Sequence, residues 1–512
     1  LSERRFTRAK LTCCDSLAGD GRREVSSKTI TSQMINGTTI SLFSLVFVKG
    51  VNLVRTMIVA RLIPSFDFGL FSLLFSFFYL ALNIAVFGFP ATSARFIASL
   101  GDRQDKVWVF LFNLYFLALS FAFIVGIGVF ALADFIALRV YREPGLSLPL
   151  RWMGGAIFFQ SLFAVNLAIL QGFSLYFQRS VLEMIDSLIS FGVMVFLVSR
   201  FSFLGAALAF CLGGIVSFLI SSLVILAKVK FRERLTKISI LDKGVVRKII
   251  GFAFPLFLTT TSIYLFYWAG DVLLKQYSSH VEQVGWMYIA RSLGQIILFL
   301  PAAMCIPLLP VVSTDNRKSD FIGNFLQVSW LFSCFVGIVI GATSKILIPL
   351  LFGNNYSAAS YAVFLYSVAS IPMAMTTSIF STILTGRGFT WPLMALNIVW
   401  GCIFILLAYL LLPFLEIEGM MYAYLVSYGL LATMVVLFMK KQGIPSGITG
   451  RILFYFLGSV SVTVLLFERL EGLPYGISIG VWIIVMFFWG VSLLEWKNRK
   501  ELVKRLQRSL FF

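Results

Sequence analysis

The chain has 512 residues, 59% hydrophobic and 13% charged, with a mean hydropathy of +0.92. A soluble protein of this length carries roughly a quarter charged residues, so a pair of water-soluble domains is excluded and lipid is the main solvent. The 42 Lys and Arg against 23 Asp and Glu give a net charge of +19, which in a membrane protein reports loop orientation rather than a nucleic-acid partner.

One histidine, His280, and six cysteines without a Cys-x-x-Cys pair leave no material for a histidine metal site, a disulfide framework or a Ser-His-Asp triad. Residues 1–33 are polar and aperiodic, without the apolar core and cleavage site of a signal peptide, and are expected to form a disordered cytoplasmic tail. Apolar runs then follow one another, each near the roughly 20 residues that cross about 30 Å of hydrocarbon. Fourteen are expected, at 35–60, 68–88, 107–132, 150–170, 180–199, 203–227, 249–271, 283–309, 321–348, 359–386, 390–413, 418–439, 451–468 and 474–495. No ten-residue segment alternates as a barrel strand does, so the fold class is all-α and polytopic.

Of the 42 cations, 31 fall in the tails and loops on the side of the N-terminus and 8 on the other. The positive-inside rule then puts both termini in the cytoplasm. The densest basic element, 228–248, separates two groups of six spans and is suited to contact anionic membrane lipids. The expected organisation is an N-lobe at 34–227, a basic linker at 228–248, a C-lobe at 249–440, an appended pair at 441–495 and a basic cytoplasmic tail at 496–512. A weak internal repeat supports two lobes: Phe68-Gly69 opens the second span and Val284-Gly285 the eighth, an offset of 216.

The remaining three cations lie inside spans: Lys49 and Arg55 in the first, Arg291 in the eighth. A charge at mid-membrane costs at least about 2.5–3.5 kcal/mol, so these residues should face a bundle interior or wet cavity. At about 100° per residue Ser41, Ser44, Lys49, Asn52, Arg55 and Thr56 share one side of the first span. Arg55 could instead snorkel to the interface, and Lys49 or Arg291 could sit in a structural ion pair. Three acids are candidates for ion coupling. Asp271 ends the seventh span and, at the 216 offset, is expected to face Arg55; Glu183 and Asp186 share a face of the fifth, where they would also complement a helix dipole. Gly126-x-Gly128-x-x-Ala131 lies inside an apolar run without a preceding strand, and no P-loop spelling occurs. No cofactor is expected, and any driving force comes from an H+ or Na+ gradient, the substrate gradient or a partner.

The segment Ala60–Ser72 (ARLIPSFDFGLFS) after a polar-faced helix resembles the opening of the polysaccharide transporter, or oligosaccharide flippase, family of the multidrug/oligosaccharidyl-lipid/polysaccharide exporter superfamily. Ala269–Leu293 and Leu350–Ser360 look like later landmarks of the same family. The resemblance implies two six-helix lobes in a V around a central cavity with alternating access. It further implies a lipid-linked oligosaccharide as cargo, carried across the cell (cytoplasmic) membrane for polysaccharide biosynthesis alongside other polysaccharide assembly proteins. Lys49, Asn52, Arg55 and Arg291 would then meet the substrate's pyrophosphate. Three alternatives stay open: a cation-coupled multidrug exporter of the same superfamily, a membrane-embedded glycosyltransferase or sugar polymerase, and a non-transporting scaffold.

Overall fold

The computed structural model describes residues 27–100, 104–228, 242–314 and 319–444, and Gly458. No strand occurs among them. The helices are α1 (Ser27–Leu62), α2 (Ser65–Val86), α3 (Phe89–Leu100), α4 (Gln104–Phe135), α5 (Ser147–Gly172), α6 (Tyr176–Lys228), α7 (Lys243–Tyr277), α8 (Glu282–Thr314), α9 (Ser319–Phe352), α10 (Ala359–Ala374), α11 (Ser381–Gly386) and α12 (Thr390–Lys441). Among the described residues nine helical segments are long and apolar enough to cross a membrane. The fourteen expected spans are not reached among these residues, and the spans expected at 451–468 and 474–495 lie outside them.

Two expectations change. Residues 27–33, assigned to the tail, are continuous with α1; once the apolar span has nucleated a helix, each further residue adds one hydrogen bond. Residues 89–100, assigned to a loop, form α3. The chain breaks after α2 through Phe87 (φ 46°) and Gly88 (φ 72°), then restarts with Pro90 in the first turn, where a missing N–H is harmless. Gly88 is needed there, because a side chain would run into the Ala253 carbonyl of α7.

α6 and α12, at 53 and 52 residues, are each far longer than one crossing requires. Each is broken at a residue with positive φ, Ser202 (φ 51°) and Glu416 (φ 46°), so that each makes two crossings with a sharp reversal. Both breaks fall on the face of the bundle where α1 ends and α2 begins, here termed the far face. They are pinned in matching ways. Ser202 Oγ donates to Asp67 at the start of α2, whereas Gln283 at the start of α8 donates to Glu416 and accepts from Ile417 N at 3.1 Å. Asp67 and Gln283 differ by the same 216 residues as the Phe68-Gly69 and Val284-Gly285 pairs. The repeat is therefore built into the backbone: α6 packs on α1 as α12 packs on α7.

The two halves meet at the far face through the repeat itself. A Cβ on Gly69 would overlap the Val281 carbonyl, and a Cβ on Gly285 would sit 2.9 Å from the Phe68 ring, so the α2 and α8 starts cross in near backbone contact. Around this crossing Tyr356 donates to the Ala60 carbonyl at 3.0 Å, Trp268 Nε1 donates to Tyr141 Oη at 2.7 Å, and Lys275 pairs with Glu143 at 2.9 Å. Gly285→Leu should wedge these helices apart, since overpacking a tight contact costs about 1–3 kcal/mol. In a background without native cysteines, Glu143→Cys with Lys275→Cys is expected to be bridged by a short bifunctional thiol reagent that spans the length of the lost Lys–Glu pair, and adding Gly285→Leu to abolish the bridging. Undiminished cross-linking would show that the glycine crossing does not hold the far face together.

Candidate functional site

Beneath the far-face contact lies a cavity of about 480 Å³ lined by α1, α2, α7, α8 and α10. Its wall carries Lys49, Asn52 and Arg55 from α1 and Arg291 from α8, the four residues that sequence singled out as cavity groups. These come to one place because α1 and α8 each turn one polar stripe inward. On α8 that stripe is Tyr288, Arg291, Ser292 and Gln295, at the i, i+3, i+4, i+7 spacing of a single helix face.

The three cations differ in how their charge is met. Arg291 donates from both terminal nitrogens to Asp271, at 2.7 and 2.6 Å, and to Tyr424 Oη at 2.9 Å. Its guanidinium carbon also lies 5.5 Å from the Tyr267 ring centre and 5.9 Å from that of Tyr424. This bidentate geometry is the strong form of an arginine–carboxylate pair. Lys49 is exposed to the cavity and donates to Gln295 across the two lobes at 3.2 Å. Arg55 is 6% exposed, its guanidinium carbon 5.7 Å from the Phe75 ring centre, with the Tyr288 hydroxyl in hydrogen-bonding reach. Neither Lys49 nor Arg55 has a carboxylate within ion-pair distance among the described residues.

The acids are placed differently from the sequence expectation. Asp271 faces Arg291 within its own lobe, not Arg55, and at 1% exposed it stands behind the cavity wall rather than at an interface. The 216 offset matched Asp271 to Arg55 in chain position, but α8 runs beside α7 and brings a guanidinium closer than the other lobe can. Glu183 accepts from Arg179 on its own helix at 3.0 Å and from Ser44 at 3.2 Å. Asp186 accepts from Ser217 at 2.6 Å and acts on Arg55 through space. None of the three lines the cavity.

Sequence reasoning missed the aromatic half of the wall. Phe75 and Tyr79 from α2, Tyr264 and Tyr267 from α7, Tyr288 and Phe299 from α8 and Tyr366 from α10 surround the cations. The signal was available: Tyr288 and Gln295 lie on the Arg291 stripe, and Tyr264 with Tyr267 stand three apart on α7.

Residues 34–314, more than half of the chain, match a family described as polysaccharide biosynthesis protein. The chain belongs to that family. Among solved structures it is similar to the lipid II flippase MurJ in an inward closed conformation, with a TM-score of 0.68 at 13% identity, covering 93% of this chain and 100% of that one. It is also similar to an inward-facing multidrug resistance MATE transporter of the MOP superfamily, with a TM-score of 0.60 at 15% identity, over 79% and 98% of the two chains. A third likeness is to a MOP superfamily transporter from Pyrococcus furiosus, described by a reversed polarity of its binding pocket, with a TM-score of 0.55 at 15% identity over 80% and 95%. The search of curated proteins found no match. This polysaccharide biosynthesis family member is thus a multi-pass membrane protein that shares its fold with these solved transporter structures.

The Asp271–Arg291 pair makes a stability prediction. Removing one partner of a buried pair leaves an uncompensated charge and costs about 3–5 kcal/mol, whereas replacing both by apolar residues is far milder. Arg291→Met should lower the unfolding temperature in detergent, and Asp271→Leu with Arg291→Met should recover most of the loss. Equal stability of single and double variants would show that the pair is not the dominant interaction there.

Proposed function

We propose that this protein is a flippase that carries a lipid-linked oligosaccharide, joined through a pyrophosphate, from the cytoplasmic to the outer leaflet of the cell membrane. The observation that carries the reading is the unequal pairing of the cavity cations. Arg291 is matched by Asp271, whereas the cavity's other two positive charges, Lys49 and Arg55, have no carboxylate at ion-pair distance among the described residues. A pyrophosphate diester bears two negative charges, and in a site screened from bulk water it is held by charge-assisted hydrogen bonds from such groups. The family's link to polysaccharide biosynthesis and the likeness in fold to a lipid II flippase support the same class of cargo. Both termini are taken as cytoplasmic, which makes the far face the outer one and places the cavity where it loads from the inner leaflet. The flippase acts with the enzymes that build and use the glycan.

Under this reading Lys49 and Arg55 bind the diphosphate, Asn52 and Gln295 add amide hydrogen bonds, and Arg291 with Asp271 fixes the opposite wall. Lys49→Ala and Arg55→Ala should each cut glycan export at least about tenfold, roughly 1.4 kcal/mol or more of lost anchoring. Arg55→Lys should recover only part of the loss, because an ammonium lacks the planar fork. The measurement is export of labelled glycan from cells in which this protein is the sole flippase, with protein level checked by immunoblot. Unchanged export in both Ala variants would refute the reading.

Coupling to an H+ or Na+ gradient, if the cycle uses one, falls to Asp186. Asp271 already has its cation in Arg291, whereas Asp186 holds only neutral partners at hydrogen-bond distance and feels Arg55 through space. A substrate anion drawing on Arg55 would change the field at Asp186 and so its occupancy by a proton or sodium ion. Asp186→Asn should then remove the dependence of flipping in proteoliposomes on the imposed gradient. Gradient dependence that survives in this variant would exclude Asp186 as the coupling group.

A further inference from the structure

The cations take up one part of the cavity wall; the remainder is aromatic and uncharged. Within it Tyr79 of α2 and Tyr264 of α7 lie parallel, with ring centres 6.2 Å apart and planes at 17°. One ring comes from each lobe. Tyr79 is 36% exposed and braced from behind by Phe75, whose ring centre is 4.9 Å away. Asn83, one turn along from Tyr79, donates to the Tyr79 carbonyl at 2.9 Å and lies near the Tyr264 hydroxyl. Both rings stand on the cavity wall with the amides of Asn52 and Gln295 on facing helices.

We propose that Tyr79 and Tyr264 form a sugar subsite, taking the pyranose ring next to the diphosphate; this rests on the proposed function of the cavity. A pyranose has an apolar C–H face and a rim of hydroxyls. Fixed aromatic faces stack against the first, while planar amides and phenolic hydroxyls hydrogen-bond to the second. An aliphatic lipid tail has no use for the hydroxyls and amides of this wall, and would leave them unpaired. Tyrosines are also suited to the task because they present a large rigid face with only two side-chain torsions to fix. The size agrees: about 480 Å³ lies in the range of a pocket for one compact ligand, about 300–1,000 Å³, and has room for a diphosphate and the adjoining sugar but not a long glycan. Because its rings belong to different lobes, the subsite engages a sugar fully only at one spacing of the lobes.

The test uses the full-length protein in detergent and two probes, undecaprenyl pyrophosphate and undecaprenyl-pyrophosphoryl-N-acetylglucosamine, with affinities read by thermophoresis. The parent should bind the glycosylated carrier about tenfold tighter than the bare one. In Tyr79→Ala and Tyr264→Ala that ratio should fall to about one, while Tyr79→Phe and Tyr264→Phe, which keep the ring faces, should retain most of it. Thermal unfolding identifies any variant that loses its fold, and the Phe variants and the parent ratio then decide. Equal affinity of the parent for the two carriers would overturn the subsite and leave the flippase reading standing. A tenfold ratio that persists in folded Ala variants would also overturn it. Binding of neither carrier by the parent would instead overturn the reading on which the subsite rests.

Discussion

An ionised side chain within hydrocarbon costs at least about 2.5–3.5 kcal/mol on insertion scales, and the cost is relieved only by a partner, by water or by reaching the interface. Lys49, Arg55 and Arg291 all stand within spans, and the architecture around them follows from how each charge is accommodated. Arg291 is met by a carboxylate from the neighbouring helix and two tyrosine rings. Lys49 and Arg55 are met by an amide, aromatic faces and a hydroxyl, none of which carries a compensating charge at contact distance. A protein that needed only stability would have paired these two as well. Leaving them in a cavity between two lobes makes sense where a mobile anion completes the site.

The lobes that form this cavity are related by a repeat that is faint in residue identity and plain in backbone. Ser202 and Glu416 both break long helices with positive φ, and Gly205 and Gly419, three residues beyond each break, press on the Leu197 and Leu411 carbonyls. The pins that fix the breaks use different chemistry, a hydroxyl donating to a carboxylate in one lobe and an amide donating to a carboxylate in the other, with the acid on opposite partners. A repeat conserved in geometry but not in residue type is what results when each lobe must keep its reversal while its surface diverges. The Gly69 and Gly285 crossing holds those two reversals side by side, so the far-face seal and the lobe geometry share a few residues of backbone.

Much of this was legible in the sequence, because hydropathy and cation placement are properties of segments rather than of single contacts. The all-helical membrane class and the two-lobe arrangement came from run lengths and from the Phe68-Gly69 and Val284-Gly285 pairs. The inward position of Lys49, Arg55 and Arg291 was expected from the cost of a charge in hydrocarbon, and that of Asn52 from its place on the polar side of the first span. What could not be read was which charges pair. Asp271 lies 20 residues from Arg291 and 216 from Arg55 in the chain, and only the packing of α7 on α8 decides between them. The end of the second span at residue 88 was legible, but the helix that restarts at Phe89 was hidden, since residues 89–100 are too short and too mixed in polarity to mark another span. The tyrosine wall was passed over because aromatic residues in spans usually serve packing, and their role here depends on which face of each helix the cavity exposes.

The same geometry weighs on the competing functions. A cationic drug entering the cavity would meet Lys49 and Arg55 without a lining carboxylate to offset them among the described residues. Two like unit charges about 4 Å apart repel by about 4 kcal/mol at an effective dielectric of 20, close to a thousandfold in affinity. That disfavours the multidrug reading far more than the shared fold favours it, since fold alone does not specify cargo. A glycosyltransferase or polymerase faces the opposite difficulty. Its general acid or base must reach the reacting atoms, yet Asp271 and Glu183 are held in ion pairs, Asp186 is bound to Ser217, and all three lie behind the wall. Among the described residues the cavity lining brings cations and tyrosine rings together, and no carboxylate stands in that lining.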